Sequence, residues 1–189
     1  MIALVLAATS GCVRLIDEVD PSQIPDMTPT CVVTSLDASA PVVHEARVTA
    51  AQEVVIKGGR VESSVPVTDG PEKPRITWRE LKVAVVEDVV GWVPPDIKKA
   101  FSTGESPGRK EVSAAVSSLG AEDGSFVGYA AVRPVEVEFT GTCDDGDSIS
   151  GWLYSWTDSD VGVVKCGAAP GVKVSEGGRR AAERHCGRF

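Results

Sequence analysis

Residues 135–140 read Val-Glu-Val-Glu-Phe-Thr. Val135, Val137 and Phe139 fall on one side of an extended chain, and Glu136, Glu138 and Thr140 on the other. Period two is the period of a strand, and a dry face opposite a wet one marks an antiparallel sheet solvated on one side. Downstream, Ile149 to Trp156 and Val161 to Cys166 are two more β-prone runs, separated by polar stretches holding Asp144, Asp145, Asp147, Asp158 and Asp160. This order predicts a three-stranded antiparallel meander over residues 135–166.

Upstream, Cys31-Val32-Val33-Thr34 predicts a strand. Gln52 to Lys57 and Arg60 to Val67 flank Gly58-Gly59, a hairpin signal because both loop positions accept positive φ. The middle changes period. Thr77-Trp78-Arg79-Glu80 fits a capping box, and Trp78, Leu81, Val85, Val89 and Trp92 recur at helical spacing before Pro94-Pro95. The run Val83 to Val86 argues the other way, since valine favours strands. Pro95 to Phe101 predicts a short helical turn. Ser106-Pro107, as N-cap and first helical residue, opens a helix towards Gly120. Ser175 to Arg184 predicts a last helix, weakened by Gly177-Gly178. Residues 31–189 thus read as one α+β domain, mostly antiparallel sheet with two or three short helices.

The chain has 189 residues, 42% hydrophobic and 24% charged, enough to bury a core. Its formal net charge of -8 repels phosphate backbones, so nucleic-acid partners are not expected. Ile2 to Ala8 is an apolar run. The eleven residues before Cys12 would span roughly 17 Å as a helix, short of a ~30 Å hydrocarbon core but suited to a signal-peptide h-region. Thr9-Ser10-Gly11-Cys12 resembles a bacterial lipobox, with small residues before a cysteine. Thr9 stands where the motif usually has Leu. No Lys or Arg precedes the run, so a basic n-region is expected upstream of Met1. The resemblance covers about twelve residues. It implies a signal peptide over 1–11, lipidation of Cys12 and a flexible tether over 12–30, rich in proline (Pro21, Pro25, Pro29). The protein would then be held at the outer face of a bacterial membrane by its lipid.

Lipidation of Cys12 leaves Cys31, Cys143, Cys166 and Cys186, and four cysteines allow three connectivities. In the meander Cys143 and Cys166 end the outer strands, about 9–10 Å apart, beyond the ~7 Å that a disulfide spans. Of the two pairings left, Cys31–Cys143 with Cys166–Cys186 is favoured.

Trp152, Tyr154 and Trp156 share one side of a strand. They form either a stacking platform for a glycan or a core layer. The tendency of large apolar residues to be buried favours the core. The aspartates do not follow a calcium-loop spacing, the cysteines lack a zinc knuckle, and no metal or cofactor is expected. His185-Cys186 is a weak catalytic pair, because adjacent side chains diverge. The function expected is non-catalytic binding at the envelope, with an envelope protein or a glycan as partner. The alternative is a carboxylate-dependent hydrolase acting on cell-wall or glycan substrate, its acids drawn from the chain's 27.

Overall fold

The computed structural model describes residues 31–68, 70–79, 84, 86–167 and 173–188. The expected signal peptide, Cys12 and the tether lie outside them. Seven strands form one antiparallel sheet: β1 (Val33–Ala38), β2 (Val42–Val43), β3 (Arg47–Lys57), β4 (Arg60–Thr68), β5 (Arg75–Trp78), β6 (Gly124–Cys143) and β7 (Ser148–Lys165). Among the described residues four helices accompany them: α1 (Val86–Trp92), α2 (Pro95–Lys98), α3 (Arg109–Ser117) and α4 (Glu176–His185). The path across the sheet is β4-β3-β6-β7-β5, and β1 and β2 pair with the second half of β6.

The expected hairpin is β3–β4, with Lys57 opposite Arg60 and both Gly58 and Gly59 at positive φ. The expected meander is instead one long hairpin, β6–β7. Its second and third predicted strands are a single strand. Asp158 and Ser159 carry turn chemistry, but they face Val132 two against one, and Asp158 takes a φ of 48°. A bulge bends a strand without reversing it. Asp158 and Asp160 therefore belong to β7 and not to a loop.

β6 also runs through Pro134, a residue that central strands usually reject. The Pro134 carbonyl accepts from the His44 N–H at 2.8 Å, so its nitrogen faces that same side. There β6 changes partner, from Val132 opposite Arg47 of β3 to Val135 opposite Val43 of β2. The missing donor falls in the gap between those strands, and the ladder to β7 loses nothing.

The predicted capping box does not form a helix start. Thr77 and Trp78 are in β5, and α1 begins at Val86; Glu80 and Val83 lie outside the described residues. Arg75-Ile76-Thr77-Trp78-Arg79 alternates polar with apolar, and that period holds: Trp78 stacks edge-on against core Phe139, centroids 5.6 Å apart. The third helix starts two residues later than expected, with Gly108 as N-cap. Ser106 serves elsewhere: its hydroxyl accepts from the Glu72 N–H at 2.8 Å.

The core falls into parts by the parity of β6. Odd positions Val127, Tyr129 and Ala131 pack with Ala181 of α4. Odd positions Val135, Val137 and Phe139 pack with Val89, Val90 and Val93 at α1, and with Phe101 beyond α2. On the even face, α3 lies over the first half: Val112 packs on Ala50 and Ala130. A Cβ on Gly128 would come within 2.3 Å of Val116 Cγ2, so this glycine lets α3 approach. The glycines of α4 act alike. A Cβ on Gly177 would stand 2.7 Å from Ala131 Cβ, and one on Gly178 2.9 Å from the Tyr129 hydroxyl. The pair that propensity counts against the helix is what seats it. The helix expected from Ser175 is present, and Ser175 caps α4 by accepting from the Gly178 N–H.

Two disulfides close the structure, Cys31–Cys143 and Cys166–Cys186, with Cα atoms 5.2 and 5.3 Å apart. Cys143 ends β6, whereas Cys166 follows the far end of β7. They stand at opposite ends of the long hairpin, so the excluded bridge is excluded by far more than one strand spacing.

Candidate functional site

The even face of β6 loses its cover beyond Pro134. Glu138 and Thr140 there are exposed and Glu136 is half-buried. On β7, Ile149, Gly151, Leu153 and Ser155 are buried, while Trp152, Tyr154 and Trp156 on the other side are half-buried. The core reading of the three aromatics is therefore overturned. Leu153 is the core residue at 1% exposure, and the rings line the outer face. Register fixes why. Trp152 and Tyr154 stand opposite Glu138 and Glu136, whose parity is the wet one, and the buried alternates stand opposite Val137 and Phe139.

β5 completes this face by placing Arg75 opposite Tyr154 and Thr77 opposite Trp152. The Arg75 guanidinium carbon lies 4.6 Å from the Tyr154 ring centroid, and that of Arg79 4.4 Å from Trp152. Each such stack is worth about 0.5–1 kcal/mol at an exposed site. Arg79 reaches past its ring to Glu138 at 2.5 Å. Arg75 has no carboxylate partner among the described residues. Trp156 donates its indole N–H to the Gly104 carbonyl at 3.0 Å. On the far side, Val42 of β2 sits opposite Glu136 and is 56% exposed. The result is an open sheet face with a central aromatic column. An arginine column runs on one side of it and a glutamate column on the other.

The rings do not present bare faces. Arg75 and Arg79 already stack on Tyr154 and Trp152, so a sugar would have to displace a guanidinium to use either. The guanidinium roof was not foreseen from the sequence. Its signal was the alternation of Arg75, Thr77 and Arg79, hidden under the capping-box match.

The remaining candidates separate. Asp144, Asp145 and Asp147 lie in the β6–β7 turn, where Asp145 accepts from the Asp147 N–H at 3.0 Å. Asp160 accepts from the Tyr129 hydroxyl at 3.2 Å, many residues along β7. The two sets do not meet, and no group of three metal-ligating side chains forms among the described residues. His185 and Cys186 diverge. Cys186 is in its disulfide, and buried His185 places Nδ1 3.2 Å from Glu53 Oε1. A cleft of about 650 Å³ opens at the gap between β2 and β3, lined by His44, Arg47, Arg180 and Glu183 among others. Its charges are largely answered from within: Arg180 pairs with Glu45 and Glu183, and Arg47 with Glu72. The N-terminus of α3 is closed by Glu111, which accepts from the Gly108 N–H at 2.9 Å; that bond holds its carboxyl below the usual range.

No family model, no curated protein and no solved structure matches this chain.

Proposed function

We propose that this protein is a non-catalytic interaction module, held at the outer face of a bacterial membrane by a lipid on Cys12, and that the open sheet face is its binding surface. The observation that carries the reading is the placement of Trp152, Tyr154 and Trp156 on the outer side of β7 while Leu153 fills the core. Large aromatics and arginines left half-covered on one face are the residue types that dominate protein interfaces. The guanidinium roofs support a protein partner over a glycan. A hydrolase gains no support from this face, because Glu136 and Glu138 stand in the open, with His44 at 3.8 Å and Arg79 at 2.5 Å beside them. Four helices set on an antiparallel sheet support the α+β description.

Two experiments test this. Mass spectrometry of membrane-extracted protein is expected to find diacylglycerol and an acyl chain on an N-terminal Cys12. An unmodified Cys12 with Met1 retained contradicts the anchor. A photo-crosslinking residue at Thr77 or Thr140, on the open face, is expected to give adducts in intact cells, and one at Ser117 of α3 is not. Equal labelling from all three contradicts the binding surface.

A further inference from the structure

We propose that the open face pairs with the same face of a second copy of this chain, as a two-fold symmetric, face-to-face sheet dimer. This rests on the reading of that face as an interaction surface, and names its occupant.

The charge layout carries the inference. One row across the sheet runs Val42, Glu136, Tyr154, Arg75, each directly opposite the next on neighbouring strands. Aromatics occupy β7 in the middle, acids lie on β6, and bases lie on β5 and just beyond it. Consider a two-fold axis parallel to β7, lying above Tyr154. Rotation about it keeps each row in place and exchanges left with right. Tyr154 then meets Tyr154 of the second copy. Arg75 comes to lie over Glu136 of the other chain, and Glu136 over its Arg75. The face is self-complementary, which an isologous contact requires. Two twisted sheets stack at about 10 Å with strands about 30° apart, a spacing that aromatic side chains fill. An apolar centre inside a charged rim is the usual anatomy of such a contact.

Arg75 is the telling residue. Arg79 has its acid within the chain, Glu138, but Arg75 has none among the described residues. Rotation supplies one from the second copy.

Size sets the strength. Seven residues of β7 at about 3.4 Å and four strands at about 4.8 Å give a projected area of roughly 450 Å². That places the contact among the small, transient interfaces, not the obligate ones. Copies anchored in one membrane are confined to a plane, which raises their effective concentration and suits a weak contact.

The test is sedimentation velocity on the full chain carrying Cys12→Ser, so that no lipid intervenes, across the micromolar to millimolar range. The expected result is a reversible monomer–dimer equilibrium. Arg75→Glu and Glu136→Arg, each alone, are expected to weaken self-association at least tenfold, with the far-UV circular dichroism unchanged. An equimolar mixture of the two variants is expected to recover heterodimers within a few-fold of the parent, because each reversed charge then meets its opposite. A parent that stays monomeric at millimolar concentration overturns the dimer, and so does a mixture no better than its components. If the parent is monomeric while Thr77 and Thr140 still crosslink to a different protein in cells, self-pairing is wrong and the interaction surface stands. If crosslinks are absent as well, both fall.

Discussion

The two halves of one hairpin differ in what covers them. On the Gly124 side of the bulge at Asp158, β6 and β7 lie between two helices, α3 on the even face and α4 on the odd. On the Cys143 side, α1 and α2 cover the odd face, and among the described residues no helix lies on the even one. The sequence pattern follows the cover. Residues 126–132 of β6 are buried on both sides, with small Gly128, Ala130 and Ala131 where helices press closest. Residues 135–140 alternate strictly, and the wet side of that alternation becomes the aromatic face. A strand's periodicity thus reports how many layers sit on it, and the change of period along β6 marks where the covered half gives way to the open face.

Each half has its own disulfide, and this gives the largest test of the comparison. Cys31–Cys143 ties β1 to the open half across 112 residues, so replacing both by Ser is expected to cost about 5 kcal/mol. Cys166–Cys186 ties α4 to the closed half across 20 residues, and its loss is expected to cost about 3 kcal/mol. Urea unfolding of the two double variants checks the order. Next in size is a contrast between neighbours on β7. Leu153→Ala is expected to destabilise by about 3 kcal/mol, since the side chain is fully buried. Tyr154→Ala, on the open side, is expected to cost about 1 kcal/mol or less. Equal losses would mean that the open face is in fact core.

A smaller effect separates helix propensity from packing. Alanine normally improves a helix over glycine by about 1 kcal/mol. At Gly177 the added Cβ would meet Asp160 Oδ2 at 2.5 Å and Ala131 Cβ at 2.7 Å. Gly177→Ala is therefore expected to destabilise by about 1–3 kcal/mol, measured by the thermal midpoint. A gain in stability would mean that α4 does not sit this close.

The smallest effects are in the pH dependence of the closed half. The hydrogen bond from Arg133, with a second from the Ala46 N–H, holds the Glu176 carboxyl below its ordinary range. A depressed folded value gives stability that is present above the unfolded pKa and is lost as pH falls through the folded one. Glu176→Gln is expected to flatten the acid limb of the urea midpoint against pH. Tyr129 works at the other end. Burial raises its phenol pKa, so its share of stability is present below pH about 10 and is lost as pH climbs through the folded value. Tyr129→Phe is expected to flatten the alkaline limb.

What the sequence discloses is local, and what it hides depends on distant partners. The alternation at 135–140, the Gly58-Gly59 hairpin and the helix that opens at Ser175 are each written within a few residues. The bulge at Asp158 is not, because the same turn residues reverse a free chain and only bend one already laddered to β6. Pro134 reads as a strand boundary until the gap between β2 and β3 supplies a side for its missing N–H. Thr77-x-x-Glu80 and the alternation from Arg75 to Arg79 are competing local signals, and pairing with β7 decided for the strand. That one decision placed the two arginines on the aromatic column. The site was half legible: the aromatics were visible as a row, but which side of the sheet they faced depended on register with β6.

The most direct test of the central claim is oxidative footprinting of the tryptophans, by hydroxyl radicals and peptide mass spectrometry. It compares the dilute purified protein with the same protein in intact envelopes. Trp152 and Trp156 are predicted to oxidise readily in dilute solution and to be protected severalfold in the envelope, while exposed Trp92, at the end of α1, reacts alike in both. Unchanged oxidation of Trp152 and Trp156 between the two states would contradict the account, because nothing would then be covering the open face in the envelope.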